Sequence, residues 1–308
     1  MTECIAMRRV AGDQRGLAYA LTWLAFNFSR VGALEKCVSL MRESLSINQS
    51  IGDKASVADG LMWMGRLLVW QGQFEESFRL LQQSLPLYQD LGDRYNSTFA
   101  YTIIGLGKML GGKYEQVEHY SQMAIELANE NGLGRELAVS YWITGATALA
   151  QEKVQQAYQL VQESVNLYRQ VGHQDELGWA LAVLANIQYT LGLPQPANIA
   201  LVEALQISVK TRAHHALKHS LAAMASILAR EGRAIQAIEL YALVLDDPIW
   251  KVSPWMEKVV GQYVSAASAN LSEEEIEAAR QRGRQGDMLT TAQEWLKDCT
   301  ARFEARCS

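Results

Sequence analysis

The chain has 308 residues and a formal net charge of −5 at pH 7, with acidic and basic side chains spread along its length. This balance excludes the basic face that marks most nucleic-acid-binding proteins, so no direct nucleic-acid partner is expected. The sequence shows no signal peptide and no apolar run long enough to span a bilayer, which predicts a cytoplasmic protein without a membrane partner. None of the four cysteines forms a CxxC pair, so a zinc site is not indicated.

The first residues align with a later part of the chain. Residues 4–13 (CIAMRRVAGD) match residues 44–53 (SLSINQSIGD). Residues 1–12 are therefore predicted to be the end of a preceding repeat helix. On this interpretation the chain starts inside a hairpin and is a fragment of a longer protein or a trimmed piece of one.

Glycines recur at a fixed period through most of the chain. One series is Gly12, Gly52, Gly92, Gly132 and Gly172, with Arg212 in the next place, and the other is Gly32, Gly72, Gly112, Glu152, Gly192 and Gly232. Two series with one 40-residue period, offset by 20 residues, indicate a helical-repeat array. The predicted units are residues 13–52, 53–92, 93–132, 133–172, 173–212 and 213–245.

Each unit is predicted to be a hairpin of two helices. In the unit 13–52, one apolar helical stripe runs from Leu17 to Phe28 and a second from Leu34 to Ile47. Glycine follows each stripe, where its freedom to adopt a left-handed conformation ends a helix at low cost. A large residue followed by a small one recurs in the first helix, as in Leu24-Ala25 and Met64-Gly65.

The period decays after residue 245. Pro248 and Pro254 interrupt the pattern, and Ser272 with Glu275 has the form of a capping box. Residues 246–308 are therefore predicted to be a C-terminal helical cap, with helices from Pro254, Ser272 and Thr290.

The large–small pair, the turn glycine seven residues later and the small positions of the second helix resemble the tetratricopeptide repeat (TPR) over about residues 13–245. The unit has 40 residues instead of about 34, and Gly-Asp replaces the usual proline at the joint. Long repeats of this kind resemble the C-terminal sensor arrays of bacterial STAND signal-transduction ATPases and related large transcriptional regulators. The resemblance implies an all-α, right-handed α-solenoid of about six helix-turn-helix repeats with a C-terminal cap.

The sequence offers no convincing catalytic motif. Residues 107–114 (GKMLGGKY) nearly form a phosphate-binding loop, but Tyr114 stands where Ser or Thr should bind magnesium. His215 and His219 have the spacing of a shared metal site without the accompanying glutamate, so a polar helix face is expected instead. We therefore expect neither an enzyme nor a metal or other cofactor.

The resemblance implies that the first helices line a concave groove. The candidate partner-binding residues at its positions are Tyr19, Phe26, Met62, Arg66, Phe99, Met109, Trp142, Trp179, Asn186 and Tyr189. Trp142, Trp179 and Tyr189 are expected as the main anchors, because aromatic side chains dominate interface energetics. The alternative is that the long helices bury these residues against neighbouring hairpins.

A protein or peptide partner in this groove is the expected ligand, and the resemblance implies the sensor part of a larger signalling protein. Two alternatives remain open at this point. In the first, the groove binds a small-molecule effector, such as a sugar or another metabolite. In the second, the array is a scaffold for self-assembly.

Overall fold

The computed structural model describes residues 2–30 and 34–307, and within these residues it contains helices and no strand. The helices of the repeats are α1 (Thr2–Ala11), α2 (Gln14–Arg30), α3 (Leu34–Ser50), α4 (Lys54–Trp70), α5 (Phe74–Asp90), α6 (Arg94–Leu110), α7 (Tyr114–Glu130), α8 (Gly134–Ala150), α9 (Val154–Val171), α10 (Gln174–Thr190), α11 (Pro194–Thr211), α12 (His214–Arg230) and α13 (Ala234–Val244). The predicted all-α helical-repeat fold is confirmed.

The C-terminal residues form shorter helices of less regular spacing. These are α14 (Pro248–Val252), α15 (Pro254–Met256), α16 (Gln262–Ala267), α17 (Glu273–Gln285) and α18 (Met288–Cys307). A π-helical turn, Glu257–Gly261, joins α15 to α16. The predicted capping box is present at the start of α17, where Ser272 accepts from the Glu275 backbone and the Glu275 carboxylate accepts from the Ser272 backbone.

The helix pairs repeat in register. The first helices of the six units, α2, α4, α6, α8, α10 and α12, each have 17 residues and begin 40 residues apart. Helix α2 packs on α3, α4 on α5, α8 on α9, α10 on α11 and α12 on α13. A Cβ added at Gly145 would lie 2.6 Å from the Val161 side chain, which explains why the first helix needs a small residue where it meets the second.

The joints adopt a left-handed conformation even where the glycine series is interrupted. Gly72 has a φ of 74°, while Glu152 and Arg212 have φ values of 62° and 54°. Gly32 lies outside the described residues. The repeat geometry thus imposes this conformation on two side chains that rarely adopt it.

The chain divides into two compact units. Unit 1 extends to Gly107 and contains α1 to α5 and most of α6, and unit 2 runs from Lys108 onward. The C-terminal helices belong to unit 2, where α17 packs on α13 and α18 packs on α11 and α12. None of the described helices is both long and apolar enough to cross a membrane.

Candidate functional site

Unit 1 carries an accessible row of aromatic side chains along its first helices. We call Tyr19, Trp23, Phe26, Trp63, Phe99 and the accompanying Arg66 the aromatic face. Tyr19 and Trp23 are 63% and 50% exposed, and the other four are partly exposed. The aromatic face brings together four of the predicted site residues, Tyr19, Phe26, Arg66 and Phe99.

The rings of the aromatic face contact one another in sequence. Centroid distances are 6.0 Å between Tyr19 and Trp23 and 6.1 Å between Trp23 and Phe26. Phe26 meets Trp63 edge-on at 5.0 Å, and Trp63 lies 5.8 Å from Phe99. Such ring contacts hold large apolar groups in fixed positions, so little side-chain entropy is lost when a partner covers them.

Arg66 is held on this face by two rings. Its guanidinium carbon lies 5.2 Å from the Trp63 ring centroid and 5.9 Å from that of Phe99. Cation–π contacts of this kind orient the positive charge on this face.

Four of the predicted groove residues are buried and cannot be accessible anchors. Met62 and Met109 are 1% and 0% exposed, Trp142 is 2% exposed and Asn186 is 6% exposed. The expectation that these side chains line an open groove is wrong for this state of the chain. In unit 2 an additional layer covers Asn186.

That layer is the segment of residues 248–264, which we call the cap segment. It lies on the first helices of unit 2, α8, α10 and α12, at positions that we call the unit 2 wall: Trp142, Ala146, Trp179, Asn186, His219 and Ser226. Helix α12 packs on both α16 and the π-helical turn, which also packs on α8. The wall is therefore occupied by the chain itself.

The same repeat position binds the cap segment in three successive hairpins. Ala146, Asn186 and Ser226 are spaced 40 residues apart along the sequence. The Trp255 indole donates to the Ala146 carbonyl at 2.8 Å. The Val259 carbonyl accepts from the Asn186 amide at 3.3 Å and from the Ser226 hydroxyl at 3.4 Å. The corresponding position in unit 1 is held by Phe26 and Arg66.

A buried aromatic cluster joins the wall to the cap segment, with the His219 ring at its centre. The His219 centroid lies 5.4 Å from Trp142 and 5.8 Å from Trp179 on the wall. On the cap segment it lies 4.7 Å from Trp250 and 6.3 Å from Trp255. The sequence predicts a polar helix face for His219. The structure instead places its ring among four indoles.

Burial lowers the pKa of His219 to about 3, with further lowering by the charges of His215 and Lys218. The imidazole is therefore neutral at physiological pH. The side chains described in the structure contain no cluster of three or more His, Cys, Asp and Glu residues able to hold a metal ion.

Arg230 clamps the far end of the cap segment. Its guanidinium carbon lies 4.6 Å from the Tyr189 ring centroid and 4.6 Å from that of Tyr263. The same side chain donates to Asn186 and, at 2.8 Å, to Thr190. Of the predicted residues in unit 2, Asn186 binds the cap segment directly, whereas Trp142 and Trp179 contact His219 and Tyr189 contacts Arg230.

A separate open cleft of about 400 Å³ lies between α13, α17 and α18. Arg233, with its guanidinium carbon 5.0 Å from the Trp295 ring centroid, and Arg282, paired with Glu239 at 2.6 Å, form part of its lining. Its volume is within the usual range for small-molecule sites.

Comparison with known proteins is consistent with a helical-repeat protein. A family model described as anaphase-promoting complex subunit 5 matches residues 1–32, 25–71 and 141–231, which together make up more than half of the chain. The chain belongs to this family. What it shares with the family is a TPR-like helical repeat, which the model matches in three stretches. No curated protein sequence matches the chain.

Solved structures share the fold at low sequence identity. A Rap protein complexed with competence and sporulation factor has a TM-score of 0.71 at 13% identity, covering 93% of this chain and 76% of its own. A Rap conjugation gene regulator of the plasmid pLS20, in complex with a Phr peptide, has a TM-score of 0.62 at 11% identity, covering 86% and 79%.

A third structure is a STAND protein with a tetratricopeptide repeat sensor from Pyrococcus horikoshii. It has a TM-score of 0.55 at 15% identity and covers 87% of this chain. The match spans 44% of that protein, so this chain resembles a part of it. These similarities show a TPR-like fold common to regulators and sensors.

Sequence reasoning missed two residues of the aromatic face, Trp23 and Trp63. They occupy equivalent places 40 residues apart, and Trp63 directly follows the predicted site residue Met62. The recurrence of tryptophan at one repeat position is the signal that could have revealed them. It also missed Trp250 and Trp255, which lie in the predicted C-terminal cap, outside the periodic part of the sequence.

Proposed function

We propose that this chain is a non-catalytic recognition module that binds a segment of a partner protein on the first helices of its repeats. The supporting observation is the hydrogen bonding of Ala146, Asn186 and Ser226 to the cap segment, in which this face of the repeats holds a polypeptide segment of the chain itself. In unit 1 the first helices expose the aromatic face to solvent. We assign partner binding to this uncovered part.

The chemistry of the aromatic face defines what it would bind. Its rings offer a contiguous apolar surface, and patches of this kind on soluble proteins mark sites of interaction. Arg66 adds one oriented positive charge beside Trp63 and Phe99. A partner segment with several apolar side chains matches this surface.

The proposed role in the cell is the ligand-sensing part of a larger signalling ATPase or regulator. One structural relative was solved with competence and sporulation factor and a second with a Phr peptide, and a third contains the repeats as a sensor. A small-molecule effector is a second candidate, favoured by the cleft beside Arg233 and Trp295. Binding there would quench or shift the fluorescence of Trp295, and Trp295→Phe would remove that signal.

A peptide-display selection tests the main proposal. Random peptides are selected on the wild-type protein, and the dissociation constants of the enriched sequences are measured for Trp63→Ala/Phe99→Ala. We expect at least a tenfold loss of affinity, since removal of two central aromatic anchors costs about 2 kcal/mol or more. Ile199→Ala, which shortens an exposed apolar side chain on α11, is the matched control and should bind as the wild type does.

The proposal fails if the enriched peptides bind the double variant as tightly as the wild type, or if no sequence is enriched. Circular dichroism of the double variant must first show that its helix content is unchanged.

A further inference from the structure

The contacts of the cap segment resemble those of a bound ligand more than those of an additional repeat. The segment does not continue the 40-residue pattern, yet Ala146, Asn186 and Ser226 hold it through side-chain and carbonyl hydrogen bonds. Lys258 pairs with Glu152 at 2.8 Å on the exposed edge of the wall. Glu152 is one of the two residues that interrupt the glycine series, and it retains the left-handed joint conformation.

The occupied wall leaves buried hydrogen-bond donors unsatisfied. The indole nitrogens of Trp142, Trp179 and Trp250 are buried without a hydrogen-bond partner among the described residues. Most buried polar groups in proteins are paired, and an unpaired donor weakens the packing that encloses it. An occupant with an acceptor in reach of Trp142 or Trp179 would therefore bind this wall better than the cap segment does.

The cap segment is made of two helical stretches that belong to no repeat hairpin. Pro248 begins a helix of five residues, and Pro254 begins a stretch that continues through the π-helical turn into α16 and ends at Ala267. Isolated helices shorter than about 15 residues are marginal in water, so the structure of both stretches depends on the wall beneath them. The hairpins below are held by contacts between their own helices.

We infer that the unit 2 wall is a binding site for a helical protein segment that carries indole side chains, and that the cap segment is its intramolecular occupant. A partner segment of the same chemistry replaces the cap segment on Trp142, Trp179 and Asn186. Its features are two large aromatic residues about five positions apart, as in Trp250 and Trp255, and a cation that reaches Glu152. This site is separate from the aromatic face of unit 1, so the two proposals can fail independently.

The experiment uses a fluorescein-labelled synthetic peptide of residues 247–265 as the probe and fluorescence anisotropy as the readout. In the wild-type chain the tethered cap segment competes at a high effective concentration, so the peptide binds weakly. Trp255→Ala weakens the binding of the tethered cap segment to the wall but leaves the residues of the wall unchanged. We expect it to raise peptide affinity at least tenfold, whereas Trp295→Ala, which removes an indole from the neighbouring cleft, leaves affinity at the wild-type level.

Charge reversal shows whether the peptide occupies the proposed position. Adding Glu152→Lys to a Trp255→Ala/Lys258→Ala chain should lower peptide affinity severalfold, because Lys258 of the peptide then meets a positive charge while the tethered segment carries no lysine there. A peptide with Lys258→Glu should recover that loss. If Trp255→Ala does not increase affinity, or if Trp295→Ala increases it equally, the proposal is wrong.

Hydrogen–deuterium exchange of the wild-type chain provides an independent measurement that needs no variant. The amides of residues 255–267 should exchange at least tenfold faster than those of α10, because the segment leaves the wall while the hairpins stay folded. Equal protection of the two regions would mean that the segment opens only with global unfolding and would overturn the proposal. A dimer that forms with rising protein concentration in Trp255→Ala would assign the wall to a second copy of the chain and would also contradict it.

Discussion

The indole nitrogen of Trp255 lies 2.8 Å from the backbone carbonyl of Ala146, a residue 109 positions earlier in the chain. Ala146 lies four residues before the end of α8, and its carbonyl receives this donor from the cap segment. Two residues before Trp255, the Ser253 hydroxyl donates to the Leu110 carbonyl at 2.9 Å. These two bonds place the start of the cap segment on the second unit and explain why the residues below it are buried.

The first prediction compares two joint glycines. Gly112 and Gly192 have nearly the same φ, 72° and 75°, but a Cβ at Gly112 would lie 2.9 Å from Pro254, whereas nothing is within 4 Å at Gly192. Gly192→Ala should cost about 1 kcal/mol from backbone strain alone. Gly112→Ala should cost about 1 kcal/mol more, because the new methyl group overpacks the contact with Pro254.

Urea unfolding monitored by circular dichroism measures both changes. Equal destabilisation by the two substitutions would contradict the placement of Pro254 against this joint.

The second prediction concerns pH. The folded-state pKa of His219, lowered to about 3, lies well below the ordinary value of 6.5. The unfolded chain therefore binds a proton more readily, so this residue favours unfolding as the pH falls from about 6.5 toward 3. Its contribution should make the wild type about 2 kcal/mol less stable at pH 5 than at pH 7.5.

His219→Gln should remove that part of the pH dependence. The charged neighbour Lys218 and the histidines His214 and His215 remain in the variant, so only the difference between the two curves reports on His219. Parallel curves of unfolding free energy against pH, measured by chemical denaturation from pH 7.5 to pH 5, would contradict the prediction.

The third prediction tests the buried ion pair between Lys218 and Asp247. The Lys218 side chain is 2% exposed, and burial lowers its pKa while Asp247 opposes that effect. Asp247→Asn keeps an oxygen that can cap α14 at Ile249 but removes the compensating charge. We expect a loss of about 3 kcal/mol, because Lys218 is then left without its counter-ion in a buried place.

Adding Lys218→Met to Asp247→Asn should recover much of that loss. Thermal and chemical unfolding of the two single variants and the double variant give the coupling energy directly. If the double variant is as unstable as the sum of the single changes, the pair does not contribute as described.

The fourth prediction concerns Pro86, which the sequence places inside a helix. Helix α5 runs from Phe74 to Asp90 through this proline, so one backbone donor is lost within a helical interior. Pro86→Ala should stabilise the chain by about 2 kcal/mol, since the preference for alanine outweighs the greater freedom of the unfolded chain. Pro194→Ala, at the start of α11 where proline is well tolerated, is the control and should have little effect.

Much of the fold follows from local patterns in the sequence. The 40-residue period and its two series of joints predict where the first helices begin, and Ser272 with Glu275 predicts the start of α17. These features depend on neighbouring residues: helical periodicity, end capping and the conformational freedom of glycine. The conformation of Glu152 and Arg212 is an exception, because the packing of adjacent hairpins imposes a left-handed joint on residues that do not favour it.

The accessibility of the candidate site residues depends on the tertiary structure. Arg66 and Asn186 occupy the same position of their repeats, yet Arg66 is partly exposed and Asn186 is 6% exposed. What separates them is the cap segment, whose Val259 carbonyl accepts from the Asn186 amide 73 positions earlier in the chain. Repeat periodicity specifies which side chains share a face, because that depends on helical spacing alone. Whether the face is open depends on a distant segment that has no periodic relation to it, and this only the folded chain decided.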